Sequence, residues 1–208
     1  MNKPTLALAL MLGAVVAAAA PAQAKSPHQV DPATVTPALN PDFAPWSCFE
    51  AGAGITCQGS YRPVYENEPI GLECAGSEVY ITGAGREFMT RWHTADGRAT
   101  KTQVHLDYPG DTFALSSEGT GPSVTIRGHF NRLYDYPVPG DLTSRVLTEV
   151  GAIYLVNVPG KGLVVHDTGT VTFEPGQDFE AIATMHGVHD VYEDPTAIDT
   201  LLCEQLAG

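Results

Sequence analysis

The residues best suited to chemistry gather near the carboxyl end, in Met185-His186-Gly187-Val188-His189-Asp190. Imidazole nitrogens ligate zinc and similar metals, and a catalytic zinc site needs three protein ligands with one position left open. On a regular strand His186 and His189 face opposite sides, because side chains alternate. A bulge at Gly187 would supply the one-residue offset that brings them onto one face. With His166, and with Asp167 or Asp190 alongside, the set His166, His186 and His189 is a candidate metal site for a small secreted enzyme. The plain alternative is surface histidines that hold nothing.

Other constellations say less. A serine nucleophile needs a base and an orienting group. There is no G-x-S-x-G, and Ser116, Ser117, Ser123 and Ser144 have no distinguishing neighbours. The carboxylate pairs Glu193-Asp194 and Asp135 with Asp141 fit solvated turns as well as acid–base work. Gly83-Ala-Gly85 lacks the rest of a dinucleotide-binding pattern. Arg127-Gly-His-Phe-Asn-Arg-Leu-Tyr-Asp-Tyr136 mixes basic and aromatic groups and would suit the rim of an apolar cavity. Aromatics recur in nearly every strand segment, where they either line such a cavity or fill a core.

Short strands must position these residues. From about Ser77 apolar and β-branched runs alternate with turn residues. Asp96-Gly97 is a hairpin signal, since the pair accepts the positive φ angles of a tight turn. Val104, Leu106 and Tyr108 fall on one face of a strand, with His105 and Asp107 on the other. Thr196 to Leu206 reads as a short amphipathic helix, with Ile198, Leu201, Leu202 and Leu206 on one side. Some eight strands and one C-terminal helix predict a mainly β chain, an antiparallel β-barrel with the β-sandwich as alternative. Gly83, Gly128, Gly169 and Gly187 inside strand patterns favour the strongly coiled barrel.

The amino terminus predicts export. Lys3, the apolar run Leu6 to Ala20 and Ala22-Gln-Ala24 form a signal peptide over residues 1–24. The run is shorter than a membrane span. Residues 25–45, with five prolines, read as a flexible leader. Residues 46–208 then form a single domain, with irregular cross-linked structure expected at 46–75. The formal net charge of −13 disfavours nucleic acid and anionic membrane surfaces as partners. Cys48, Cys57, Cys74 and Cys203 are even in number, and outside a reducing compartment they predict two disulfides. Of the three connectivities we favour Cys48–Cys57 with Cys74–Cys203, since Gly52 and Gly54 let the first loop turn back. No close C-x₂₋₄-C pair supports zinc instead.

The exported leader, the strand series and the closing Leu201-Leu-Cys-Glu-Gln-Leu206 resemble small secreted actinobacterial proteins of unknown function. Gly162-Leu-Val-Val-His-Asp-Thr-Gly169 is the stretch that carries most of the likeness. The resemblance covers roughly residues 70–206. It implies a barrel shaped like lipocalins or allene oxide cyclase, favours Cys74 pairing with Cys203, and makes Cys48 and Cys57 an addition. It brings no catalytic residues. The leading expectation is therefore a secreted, extracellular, non-catalytic protein without cofactor. It would bind a small apolar ligand or a protein partner. The metal-dependent enzyme and a structural or envelope-associated role are the alternatives.

Overall fold

The computed structural model describes residues 28–194 and 196–207, so the expected signal peptide lies outside the described residues. Eleven strands are present: β1 Gln29–Val30, β2 Ser47–Ala51, β3 Gly54–Tyr61, β4 Val64–Cys74, β5 Ser77–Ala84 and β6 Arg86–Thr94, then β7 Ala99–Ala114, β8 Ser123–Asp135, β9 Val146–Val158, β10 Gly162–Phe173 and β11 Ile182–Val188. Helix α1, Asp190–Glu193, and helix α2, Ala197–Leu206, close the chain. All strand pairs are antiparallel, in the order β1-β2-β3-β6-β7-β8-β9-β10-β11. No helix among the described residues is long and apolar enough to cross a membrane.

The expected barrel is not formed: the sheet stays open, and the sandwich-like alternative describes it better. The cause lies in β7. Its register slips between Tyr108 and Asp111, a bulge that bends the strand. The first part of β7 pairs with β6, whereas Thr112, Phe113 and Ala114 pair with β5 of the β4–β5 hairpin. The sheet therefore branches instead of curling until β1 meets β11.

Inward-facing residues of the central strands form one core, including Leu106, Phe130, Leu147, Ile153, Val171 and Phe173. A second core joins Val79, Val124, Val156 and Val158 to Leu202 and Leu206 of α2. Beside it the Cys74–Cys203 disulfide ties α2 to the end of β4, and Cys48–Cys57 bridges directly opposed residues of β2 and β3. Both follow the favoured pairing.

Two segments differ from expectation. Residues 28–45 are packed, not free: Val35 and Phe43 are buried, and Arg91 donates to the Pro37 and Ala38 carbonyls at 3.0 and 3.2 Å. The prolines there open turns. Asp31 and Asn40 cap short 3₁₀ turns that begin at Pro32 and Pro41, where a fixed φ suits the first helical position. Residues 46–75 hold β2, β3 and β4 instead of irregular chain. Gly59 lies under Phe43 and the Trp46 ring, so the bare glycine is what lets that strand accept its cover.

Candidate functional site

The structure brings His189 to Asp167 but does not assemble the three-histidine site. Strand alternation turns His166 to the outer face of β10, while Asp167 points inward and is fully buried. His186 lies opposite Thr170 on β11 and is exposed. His189 follows the strand and is buried, with Nδ1 2.8 Å from Asp167 Oδ1 and Nε2 3.0 Å from the His186 carbonyl oxygen. A carbonyl only accepts, so Nε2 carries hydrogen, and Asp167 faces Nδ1. Neither ring nitrogen is left to bind a metal. The Val191 N–H also donates to Asp167, at 3.2 Å, and burial raises the pKa of this carboxyl. Among the described residues no group of three or more His, Cys, Asp or Glu side chains could hold a metal ion.

Glycine makes this closed arrangement possible. Gly151, Gly169 and Gly187 oppose one another across β9, β10 and β11, with φ of +135°, +142° and +127°. A Cβ on Gly169 would strike the His186 carbonyl and lie 2.8 Å from His189 Nε2. The bulge expected at Gly187 is not formed: Gly187 pairs in register with Gly169, and its missing side chain makes room for the Thr168 carbonyl, while the space for the imidazole is left by Gly169.

Each carboxylate pair is split: Asp135 ends β8 beside Lys101 and Glu193 ends α1, while their partners cap turns. Asp141 and Asp194 each accept from the N–H and hydroxyl of a threonine two residues on, which lowers both pKa values. Ser144 is likewise spent on backbone bonds to Val138 and Asp141.

The stretch from Arg127 meets its expectation more closely. A cavity of about 300 Å³ lies between the two cores, walled by Leu106, Phe113, Ile126, Phe130 and Ile153 of the sheet. Ile198 and Leu202 of α2 form its cover, and Arg127, Arg132 and Tyr154 are among its polar lining. A groove of about 640 Å³ adjoins it, lined by Phe179, Ile182, Val191 and Tyr192, and sharing Arg132 and Tyr154. The two spaces therefore meet at one guanidinium and one phenol.

Arg132 is held firmly. Its Nε donates to Glu149 Oε1 at 2.6 Å, and Tyr192 donates its hydroxyl to Glu149 Oε2. The guanidinium carbon lies 5.4 Å from the Phe130 ring centre and 5.1 Å from that of Phe179, within cation–π range. Neither Nη group hydrogen-bonds another described residue, and the side chain keeps 33% of its surface exposed. Burial, and then the Glu149 charge, raise the pKa of Tyr154 and Tyr192, so both phenols remain donors. Phe179, on the groove wall, is held at φ +65°, a conformation that costs a non-glycine residue about 1 kcal/mol or more.

Glu149, at 1% exposure, was not singled out by the sequence, and Tyr192 figured only among the aromatics that could line a cavity or fill a core. One signal was present: Glu149 shares an alternation phase with Leu147 and Gly151, so an acid stands where the strand turns inward. The arrangement offers apolar walls, two phenols, the carboxylates of Asp111, Asp199 and Glu180 and an arginine edge free to donate, a set suited to binding.

No protein-family model matches the chain, and no curated protein or solved structure matches it.

Proposed function

We propose that this protein is an exported, non-catalytic binder of a small, mainly apolar molecule that bears an acidic group. One observation carries the reading: Arg132 stands at the junction of cavity and groove, its Nε committed to Glu149 and its Nη groups without partners among the described residues. A planar guanidinium edge suits a carboxylate, and the apolar walls on either side suit the remainder of the molecule. Volumes of about 300 and 640 Å³ fall in the range that small-molecule pockets occupy. Export rests on the amino-terminal signal pattern and on two disulfides, which persist in oxidising surroundings.

Native mass spectrometry of the mature protein from a secreting host tests this first, and an added organic mass is expected. Titration with aryl and alkyl carboxylates of graded size then gives saturable binding. Ile198→Trp, which fills the cavity from α2 without touching the charges, abolishes it while the fold persists. A bare mass together with no saturable binding across the series overturns the proposal. Binding unaffected by both Ile198→Trp and Arg132→Gln moves the ligand out of the cavity and defeats the reading as well.

A further inference from the structure

We propose that His105 and His129 form a surface site for a borderline divalent transition metal, with Cu²⁺ held most tightly. The site is separate from the cavity and does not depend on the ligand reading. It arises from strand register. In the β7–β8 ladder His105 opposes Asn131 and Asp107 opposes His129, which sets the two imidazoles diagonally on the outer face. Their ring centres are 4.8 Å apart and the rings nearly perpendicular, at 82°. With metal–nitrogen bonds of about 2.1 Å, two imidazoles sharing one ion have ring centres roughly 4.5–5 Å apart.

The neighbours hold both rings in the form a metal requires. His129 Nδ1 lies 3.5 Å from Asp107 Oδ1, and His105 Nδ1 lies 3.3 Å from Asn131 Oδ1. Gln103 Nε2 donates to that same amide oxygen at 3.0 Å, which fixes the oxygen as the acceptor facing His105. An accepting oxygen at Nδ1 places the proton there and leaves the lone pair on Nε2. A carboxylate or carbonyl behind a ligating histidine is the usual outer support of a metal site. Both Nε2 atoms lack hydrogen-bond partners among the described residues, and the His129 side chain is 66% exposed, so its ring is free to turn onto an ion.

The surroundings decide which ion. Arg62 and Arg86 line the adjoining depression with Glu87, His105 and Asp107, so its carboxylates are balanced by guanidinium charge and offer no net attraction to a cation. Calcium and magnesium, which seek several oxygen ligands and net negative charge, are thereby disfavoured. An ion held by nitrogen tolerates this better, in the order Cu²⁺ over Ni²⁺ or Zn²⁺. With two protein ligands, water fills the remaining positions.

The test is calorimetric titration of the metal-free, disulfide-intact protein with CuCl₂ in a weakly coordinating buffer, followed by ¹H–¹⁵N spectra of the imidazoles. One equivalent binds in the micromolar range, and paramagnetic broadening falls first on His105 and His129. His129→Gln and His105→Gln each abolish the binding. Asp107→Ala, which removes only the outer support, weakens it by roughly tenfold. His28→Gln, His166→Gln and His186→Gln, at the other exposed histidines, leave it unchanged. Absence of binding below millimolar copper overturns the proposal. So does stoichiometric binding that survives the His105→Gln/His129→Gln double variant, or that is lost in any of the three controls.

Discussion

Two histidine–aspartate pairs stand on the same sheet and have opposite characters. His189 with Asp167 is buried at 3% and 0% side-chain exposure, with 2.8 Å between the atoms. His129 with Asp107 lies on the outer face at 66% and 43%, with 3.5 Å. In the first, the His186 carbonyl occupies the remaining nitrogen and the imidazole becomes part of the framework. In the second, that nitrogen is open to solvent. A carboxylate beside an imidazole therefore does not by itself define a site; what the far nitrogen meets decides the matter.

Removing each carboxylate tests this contrast most severely. Asp167→Ala strips a buried imidazole and the Val191 N–H of their partner, and should cost about 3–5 kcal/mol in urea unfolding. Asp107→Ala removes an exposed partner and should change stability by at most ~0.5 kcal/mol. Equal losses would break the comparison.

A third histidine sharpens it, because His93 is buried with neither ring nitrogen hydrogen-bonded among the described residues. Burial first, and then the Arg91 charge, push its pKa down from 6.5 to about 4. The unfolded chain therefore binds the proton more readily, and stability must fall as pH drops from about 6.5 to about 4. The drop due to this one group should be about 3 kcal/mol. His93→Leu leaves no group to protonate, so the difference between the two unfolding free energies should grow across that window and be flat above it. Parallel curves would refute this account.

The glycine row gives a smaller effect. Gly169→Ala should cost about 2 kcal/mol, because it forces a Cβ against the His186 carbonyl at a φ that side chains avoid. Amide exchange in α1 should quicken with it, since His189 loses its seat. Gly160→Ala, where a Cβ meets nothing within 4 Å although φ is +80°, should cost about 1 kcal/mol and leave α1 protected.

Much of the frame was legible in the residues. Alternation set out the strands and put His105 and Asp107 opposite Leu106. Asp96-Gly97 marked its hairpin: Gly97 has φ +85° and its N–H bonds to the Thr94 carbonyl. The cysteines paired as their loops allowed. What escaped was everything that depends on register between distant strands. His105 and His129 are 24 positions apart in the chain and meet only because β7 and β8 align as they do. His186 and His189 are close in sequence, yet one ends outside and the other buried. Closure of the sheet escaped too, because Pro109-Gly-Asp111 reads as a turn between two strands, whereas the chain runs on through it as the bulge of one long β7. The prolines of residues 28–45 misled by composition, since disorder and capped turns draw on the same residues.

One covalent link reaches further than its place in the second core indicates. Ile198 and Leu202, which cover the cavity, belong to the closing helix, and Cys203 fastens that helix to Cys74 at the end of β4. One wall of the cavity is thus a chain end held by a sulfur–sulfur bond across 129 positions. With the thiols reduced, the wall would rest on the apolar contacts of Ile198, Leu201, Leu202 and Leu206 and on the hydrogen bond from Lys161 to Gln205. Oxidation thus adds a covalent tether to a wall that packing already places, and a reduced chain would carry every residue of the site behind a looser cover.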